Sequence, residues 1–158
     1  MRKLLLLTAV AAAAAAAAAG ARATGPGHKG SATRSVVIST RRLPQLGTVL
    51  VDGNGRTLYM LVPDRRRLVT CTATCALVWP PLRLAKGLSA LARGEAKSHL
   101  LASARDPAGG AVVTYDGWPL YTYVGDTAPG QARGQALDLN GGLWYVLAPS
   151  GKMIRRRG

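Results

Sequence analysis

A tyrosine followed five residues later by an aspartate occurs twice in this sequence, and these side chains are the first candidates for chemistry. Tyr59 and Asp64 form the first copy, and Tyr121 and Asp126 form the second copy 62 residues further along the chain. Two carboxylates brought together could act as a general acid and base or hold a cation, because each would shift the pKa of the other. Nothing in the sequence requires the two copies to meet, so a structural interpretation stands beside this catalytic one.

The structural interpretation assigns these residues to packing and turns. On a strand, Tyr121 and Tyr123 point to one face, as do Tyr59 and Leu61, so we expect these side chains to pack in the core. The two aspartates fall just beyond the strand ends, where a carboxylate accepts backbone N–H bonds two or three residues further on and forms an Asx-turn. This pattern predicts a duplicated hairpin in which the tyrosine packs and the aspartate closes the next turn.

Cys71 and Cys75 are the only cysteines in the chain and form the second candidate site. Two nearby cysteines in an exported protein usually form a disulfide, and a helical turn would place their Cα atoms about 6 Å apart, within the range that a disulfide spans. The alternative is a thiol-redox pair or a soft-metal site that binds copper. A metal site would need a nearby histidine, and neither His28 nor His99 has ligand-like spacing. The sequence therefore predicts a disulfide, no metal and no cofactor.

The three tryptophans, Trp79, Trp118 and Trp144, each adjoin a proline or a tyrosine. Such residues most often fill a core or cap the ends of a sheet, with the indole N–H bonded to a carbonyl oxygen. If they were exposed together, they would instead form an aromatic platform for a sugar or a peptide. The sequence leaves both core packing and an exposed aromatic platform open.

Motifs typical of catalysis are missing from the sequence. It contains no Gly-x-Ser-x-Gly elbow, no Walker loop and no His-Glu-x-x-His. With two poorly placed histidines, an activated serine or cysteine nucleophile is difficult to assemble. We therefore expect a protein with no catalytic residues that is not an enzyme.

Three hairpins are the elements that must position these candidates. Their turns are Gly53–Gly55, Asp116–Gly117 and Asn140–Gly142, and β-branched and aromatic residues form the arms. Asp-Gly and Asn-Gly tolerate the positive φ angles that tight hairpin turns require. The fold class predicted is mainly β, with two related antiparallel hairpin-based repeats arranged as small sheets or as a sandwich-like or barrel-like structure.

A helical connector is expected between the repeats. Residues 86–103 are rich in Ala, Leu, Lys and Arg, which favours one or two short helices even though Gly94 costs about 1 kcal/mol relative to Ala. Pro80 and Pro81 would end any helix that begins near Cys75, because neither has an N–H group and residues before proline avoid the α region. The predicted organisation is a signal peptide (1–23), a flexible basic leader (24–43), one β-rich domain (44–150) and a basic tail (151–158); within the domain, repeat one spans about 46–82, the connector 83–108 and repeat two about 109–150.

The N-terminus has the pattern of an export signal. A positive Met1–Lys3 segment precedes the apolar run Leu4–Ala19, and Ala21–Ala23 fits the small-x-small cleavage pattern. The alternative, an uncleaved membrane anchor, is disfavoured because a span needs roughly 20 apolar residues. No cysteine lies at the cleavage site, so lipid attachment there is not available. We expect an exported protein, either extracellular or associated with the cell envelope.

The formal charge of +14 is concentrated on the flanks. Residues 44–150 hold 10 basic and 7 acidic residues, whereas the leader and the tail carry most of the excess. Basic arms of this kind adhere to polyanions in a salt-dependent way. The partners indicated are anionic envelope polymers or lipid head groups. Specific nucleic-acid binding is not predicted, because basic residues are not interleaved with aromatic ones on one face.

The ordered motifs of the chain resemble a bacterial family of secreted repeats and predicted lipoproteins that share a Tyr-x-aromatic-x-x-Asp motif. Tyr121–Asp126 fits this motif, and Tyr59–Asp64 fits it except that Leu61 replaces the aromatic residue. Further matching segments are Cys71–Pro81, Gly117–Tyr121, Asp126–Gly130 and Gly142–Val146. The resemblance covers about residues 46–151 and implies an extracytoplasmic protein with two β-rich repeats and no established activity. The missing lipobox cysteine departs from the lipoprotein members.

Overall fold

A computed structural model describes residues 35–64 and 67–156 of the chain. The predicted signal peptide and residues 24–34 of the predicted leader lie outside the described residues, as does His28. All described residues fall within one compact unit.

The described residues are mainly β, as the sequence predicts. They form ten strands, one short α-helix and one turn of 3-10 helix. The elements in chain order are β1 (Val36–Leu43), β2 (Gly47–Asp52), β3 (Tyr59–Leu61), α1 (Thr74–Val78), β4 (Arg83–Leu84), β5 (Ala90–Ala92), the 3-10 turn (Ser98–Leu100), β6 (Leu101–Arg105), β7 (Ala111–Tyr115), β8 (Trp118–Pro119), β9 (Asp138–Leu139) and β10 (Gly142–Val146).

These strands form three small sheets with almost entirely antiparallel pairing. The first has the order β2-β1-β5, the second β3-β10-β9, and in the third β7 lies between β4 and β6 and also pairs with β8. Among the strand pairs of the described residues, only β1–β5 is parallel. No sheet closes into a barrel, so the small-sheet form of the predicted fold is the one observed.

The three predicted turns are present and their backbone angles explain the residues found there. Asp116 and Gly117 have φ angles of 51° and 80°, and Asn140 and Gly141 have φ angles of 52° and 101°. Two successive positive φ angles define the turn that matches the twist of a hairpin. The first turn is longer, and the carboxylate of Asp52 accepts from the N–H groups at positions 54 and 56, both at 2.9 Å.

The expected boundary of the flexible leader at residue 43 is wrong, because Val36–Leu43 forms β1. This strand lies in the middle of its sheet and pairs with β2 on one side and β5 on the other. Ile38 is fully buried, so burial of apolar side chains stabilises a segment whose flanking composition indicates a linker.

The expected helices of the connector are also wrong. Within residues 86–103 the structure has β5 and a single 3-10 turn, and no α-helix. Gly87 and Gly94 have φ angles of 79° and 62°, which interrupt a helix, and β5 gains its hydrogen bonds from β1. Long-range pairing therefore overrides the helix propensity of this segment. The α-helix lies instead at Thr74–Val78, and it ends at Trp79, just before the two prolines that were expected to stop it.

The two repeats are related by a local two-fold pairing between their tyrosines. The backbone N–H of Tyr59 donates to the carbonyl oxygen of Tyr121 at 2.8 Å, and the N–H of Tyr121 donates back to Tyr59 at 3.0 Å. Reciprocal bonds between equivalent residues of an antiparallel pair are the arrangement that a two-fold axis between them requires.

The strands that follow each motif are exchanged between the repeats. Pro81, which follows the first motif, pairs with Tyr121, and Val146, which follows the second motif, pairs with Tyr59. The backbone of each repeat therefore pairs with the motif tyrosine of the other repeat.

Three clusters of buried side chains form the core of the described residues, and β3 contributes to the two larger ones. Tyr59 and Leu61 lie in one cluster, whereas Leu58 and Met60 lie in the other. This alternation follows the two-residue period of a β-strand, which also predicts that Tyr59 and Leu61 share one face. Because the side chains on both faces of β3 are buried in these clusters, the first motif lies at the centre of the domain.

Candidate functional site

The candidate tyrosines and aspartates form two hydrogen-bonded pairs, and each pair joins one repeat to the other. The hydroxyl of Tyr59 donates to Oδ2 of Asp126 at 2.7 Å. The hydroxyl of Tyr121 donates to Oδ2 of Asp64. The tyrosine of each motif is thus bound by the aspartate of the other motif, an exchange that the motif spacing alone does not reveal.

Two consecutive backbone N–H groups hold each pair in the same way. The N–H of Arg133 donates to Oδ1 of Asp126 at 2.8 Å, and that of Gly134 donates to the hydroxyl of Tyr59 at 3.2 Å. In the other pair, the N–H of Thr70 donates to Oδ1 of Asp64 at 2.7 Å, and the N–H of Cys71 bonds to the hydroxyl of Tyr121. Thr70 and Cys71 lie in the loop that follows Asp64, and Arg133 and Gly134 lie in the equivalent loop that follows Asp126. Each aspartate therefore organises the loop that follows its own strand.

Burial governs the protonation of these groups. It raises the pKa of the Asp64 and Asp126 carboxyls above the usual range, and their hydrogen bonds oppose the shift without cancelling it. Burial, followed by the bond to the neighbouring carboxyl, raises the pKa of the Tyr59 and Tyr121 phenols as well. Both phenols therefore remain protonated donors over the physiological pH range.

The geometry supports the structural interpretation of the motif, with one difference. Asp64 and Asp126 are 0% and 1% exposed, and both oxygens of each carboxylate already accept hydrogen bonds from the protein. They accept from N–H groups six and seven residues further on, so each closes a wide loop rather than the Asx-turn that we expected. The reason is that the tyrosine partner lies in the core and draws the carboxylate inward.

Two of the three tryptophans stack on one another at the centre of this arrangement. The rings of Trp79 and Trp144 are 3.9 Å apart with planes 4° from parallel, and Tyr123 stacks on the other side of Trp79 at 4.2 Å. The Trp144 indole N–H donates to the carbonyl oxygen of Leu139 at 2.8 Å, as expected for a buried tryptophan. Trp79 differs, because its buried Nε1 has no acceptor among the described residues.

Burial determines which aromatic residues can contact a ligand. Trp79 and Trp144 are 0% exposed, which removes them from any surface platform for a sugar or a peptide. Trp118 is half-buried in β8, where it pairs with Tyr115. Among the predicted binding tryptophans, Trp118 is therefore the one that retains access to solvent.

A disulfide joins Cys71 and Cys75 in the structure, with their Cα atoms 5.2 Å apart. Both residues are buried and belong to the same core cluster as Trp79. The described residues contain no group of three or more His, Cys, Asp or Glu side chains placed to hold a metal ion. His99 lies exposed in the 3-10 turn. The disulfide ties the start of α1 to the loop that binds Asp64.

The surface charge of the folded domain is more one-sided than the sequence indicates. Asp52, Asp64, Asp106 and Asp126 are buried, so only three of the seven acidic residues are exposed. Twelve of the thirteen basic residues in the described part of the chain are exposed. The sequence indicates an excess of charge on the flanks, but it does not show that burial removes most of the acids from the surface of the domain.

Two of these basic residues line one open pocket beside the β1–β2 turn. Arg42 from β1 and Arg156 from the C-terminal segment both line it, and its volume is about 540 Å³. The guanidinium of Arg156 donates to the carbonyl oxygen of Leu46 at 2.9 Å. Sequence reasoning missed this site because it assigned Arg42 to the leader and Arg156 to the tail.

None of the helices in the described part of the chain has the length and apolar character needed to span a membrane.

Comparison with known proteins identifies both repeats. A family model described as a secreted repeat of unknown function matches residues 41–83 and residues 102–148, which together make up more than half of the chain. Each matched segment contains one Tyr–Asp motif, and the second begins within β6, so the repeat extends further toward the N-terminus than the motif alone indicates. No curated protein and no solved structure gives a match to this chain.

Proposed function

The chain belongs to the family of secreted repeats of unknown function, and from this premise we propose that it is a non-enzymatic binding module that attaches to anionic polymers at or outside the cell envelope. The family's description as secreted supports export. The segment 1–23 is the proposed signal peptide, and the absence of a lipobox cysteine favours release or non-covalent association over a lipid anchor.

The observation that carries this proposal is the charge of the folded surface. Twelve exposed cations face solvent against three exposed anions in the described residues. A surface of one sign attracts polymers of the opposite sign over a distance of about 10 Å at 0.1 M salt. The basic residues outside the described part, including Arg65 and Arg66, add to the same sign of charge.

The state of the motif residues supports a binding role over an enzymatic one. Asp64 and Asp126 are buried and bonded to a phenol and to backbone N–H groups. A general acid or base must reach the substrate proton through a hydrogen bond, and these carboxylates have no solvent-facing oxygen with which to do so. Their arrangement supports a scaffold that presents the basic surface.

The bonded cysteines bear on the alternative of a thiol-redox or copper protein. That function needs a thiolate, which is the form that attacks disulfides and binds soft metals. Cys71 and Cys75 are joined and buried, which supports a structural staple. Copper binding by the exported protein without prior reduction would favour the alternative.

The test measures binding of the purified exported protein to beads that carry a phosphate polymer, a carboxylate polymer or a neutral polysaccharide. We expect binding to both anionic polymers that weakens steeply between about 50 and about 500 mM NaCl, since salt screens exposed charges. Equal binding to the neutral polysaccharide, or anionic binding that salt leaves unchanged, would contradict an electrostatic polymer-binding function.

A further inference from the structure

Three arginines, Arg42, Arg133 and Arg156, line two open pockets that adjoin the β1–β2 turn. Arg42 and Arg156 line a pocket on one side of Pro44 and Gln45. On the other side, Arg133 lines a second open pocket of about 470 Å³, which shares Pro44 and Gln45. None of the residues lining either pocket is acidic.

Arg156 is held in place by two contacts. Its Nη2 donates to Leu46, as described above, and its carbonyl oxygen accepts from Nε2 of Gln135 at 2.6 Å. Gln135 is itself anchored in the core, because its Oε1 accepts from the backbone N–H of Val146 at 2.9 Å. A guanidinium has five N–H donors, and the bond to Leu46 uses one of them. Within the described part of the chain the other guanidinium N–H groups of Arg156 donate to no acceptor, and less side-chain entropy is lost when a pre-positioned arginine binds a ligand.

A second basic pocket beside the same sheet has an acidic residue in its lining. Arg41 and Arg93 line a pocket of about 420 Å³, but Asp52 lines it as well. A carboxylate would repel an incoming anion and compete for the guanidinium groups. The pocket of Arg42 and Arg156 has no such competitor, so it is the better anion site of the two.

We propose that Arg42 and Arg156 form a binding site for a phosphodiester group of an anionic polymer, with the chain of the polymer continuing past Pro44 and Gln45 toward Arg133. Arginine matches the planar pair of oxygens on a phosphodiester by donating two parallel hydrogen bonds. Three arginines distributed over two adjoining open pockets fit a repeating anion better than a single small ion. This inference rests on the proposed polymer-binding function and assigns its site and ligand chemistry.

The test compares variants in a binding assay with soluble poly(glycerol phosphate). Arg42→Gln removes one guanidinium of the site. Arg105→Gln removes an equal charge from an exposed position of β6, a strand of a different sheet, and Arg105 lines neither pocket. We expect Arg42→Gln to weaken binding about tenfold or more, because a charge-assisted bidentate contact is lost. Arg105→Gln should change binding less than about twofold, the size expected for a diffuse screened charge.

A second variant and a second ligand distinguish the geometry of the site from charge alone. Arg42→Lys keeps the charge but not the planar fork, so we expect it to bind poly(glycerol phosphate) more weakly than the wild type. Vesicles of phosphatidylglycerol and phosphatidylcholine provide the lipid comparison. Thermal unfolding of each variant confirms that the fold is retained. Arg156→Gln removes the second guanidinium of the site, and it should weaken binding in the same way as Arg42→Gln.

The outcomes separate this inference from the proposed function. If Arg42→Gln and Arg105→Gln weaken binding equally, the surface binds diffusely, so the site is wrong while the function stands. If the wild type binds vesicles and not the free polymer, the assignment of the ligand is wrong. If the wild type binds neither, both the function and the site are overturned.

Discussion

The hydroxyl of Tyr59 in the first repeat donates to the carboxylate of Asp126 in the second repeat at 2.7 Å, and the opposite pair, Tyr121 and Asp64, repeats the contact. The motif that defines each repeat is therefore completed by the other repeat. This exchange gives the recurring tyrosine and aspartate a structural role, because each tyrosine is bound by the aspartate of the other repeat. Their partners lie across the two-fold pairing of Tyr59 with Tyr121.

Replacing either motif tyrosine with phenylalanine should destabilise the domain. Tyr59→Phe removes the donor to Asp126 and leaves a buried carboxyl oxygen without its partner, which costs about 1–3 kcal/mol in free energy of unfolding. Tyr123→Phe is the matched control, because the structure assigns that hydroxyl no hydrogen bond within the described residues. Urea unfolding of the three proteins measures the difference, and an equal loss in both variants would show that ring packing, rather than the exchanged bond, matters.

Acidification should stabilise the fold through Asp64 and Asp126. Burial raises the pKa of both carboxyls in the folded state, so between the unfolded value of about 3.9 and the raised value the folded state binds more protons. Their contribution to the free energy of unfolding is fully present below the unfolded pKa and is lost as the pH rises through the folded pKa.

The measurement is the free energy of unfolding from about pH 4 to about pH 7 for the wild type and for Asp126→Asn. Asparagine does not titrate, so the dependence on pH should be shallower in the variant. A wild-type stability that falls with rising pH no more steeply than that of the variant would contradict raised pKa values for these carboxyls.

Removing the disulfide should cost a modest amount of stability and leave the fold intact. Cys71 and Cys75 close a short loop, and the chain-entropy account predicts a loss of about 2 kcal/mol for a loop of this size. Urea unfolding of the Cys71→Ala, Cys75→Ala double variant tests this value. In a parallel experiment, the reduced wild type is titrated with copper. Tight copper binding by the reduced protein, together with no loss of stability in the double variant, would favour the redox or metal alternative.

Gly134 should tolerate no side chain, because it lies against the aromatic cluster. A Cβ atom at this position would be 2.7 Å from Cη2 of Trp79 and 2.9 Å from Cε1 of Tyr59. Gly134→Ala should therefore lower the free energy of unfolding by about 1–3 kcal/mol, the usual cost of overpacking a core.

Gly53→Ala is the control for that substitution. Its Cβ would meet Val37 at 3.5 Å, an ordinary van der Waals distance, so we expect a small change in the melting temperature. A comparable loss in both alanine variants would indicate that backbone freedom, and not the contact with Trp79 and Tyr59, determines the effect at Gly134.

Local features of the structure were predictable where the chemistry is local. The turns at Asp116–Gly117 and Asn140–Gly141 follow from residues that accept positive φ, and the helix α1 ends before Pro80 because a proline cannot continue it. The connector was not predictable in the same way. Its β5 strand pairs with β1, more than 50 residues earlier in the chain, and no sequence window contains both partners.

The candidate site was also predictable only where it depends on local sequence. The period of two residues places Tyr59 and Leu61 on one face, as observed in the core. The spacing of the motif could not show that Asp64 binds Tyr121, because the contact depends on the pairing of the two repeats. Arg42 and Arg156 are 114 residues apart, and they line one pocket only because the C-terminal segment returns to the β1–β2 turn.

The sequence by itself determined the family, the duplication, the hairpin turns and the β-rich class, since each depends on residue types and short spacings. The tertiary structure decided which tyrosine meets which aspartate, that the acids are mostly buried and that the cations remain exposed. The physical reason is that burial and partner choice arise from long-range packing. That packing buries the repeated Tyr–Asp motif and leaves the basic side chains exposed.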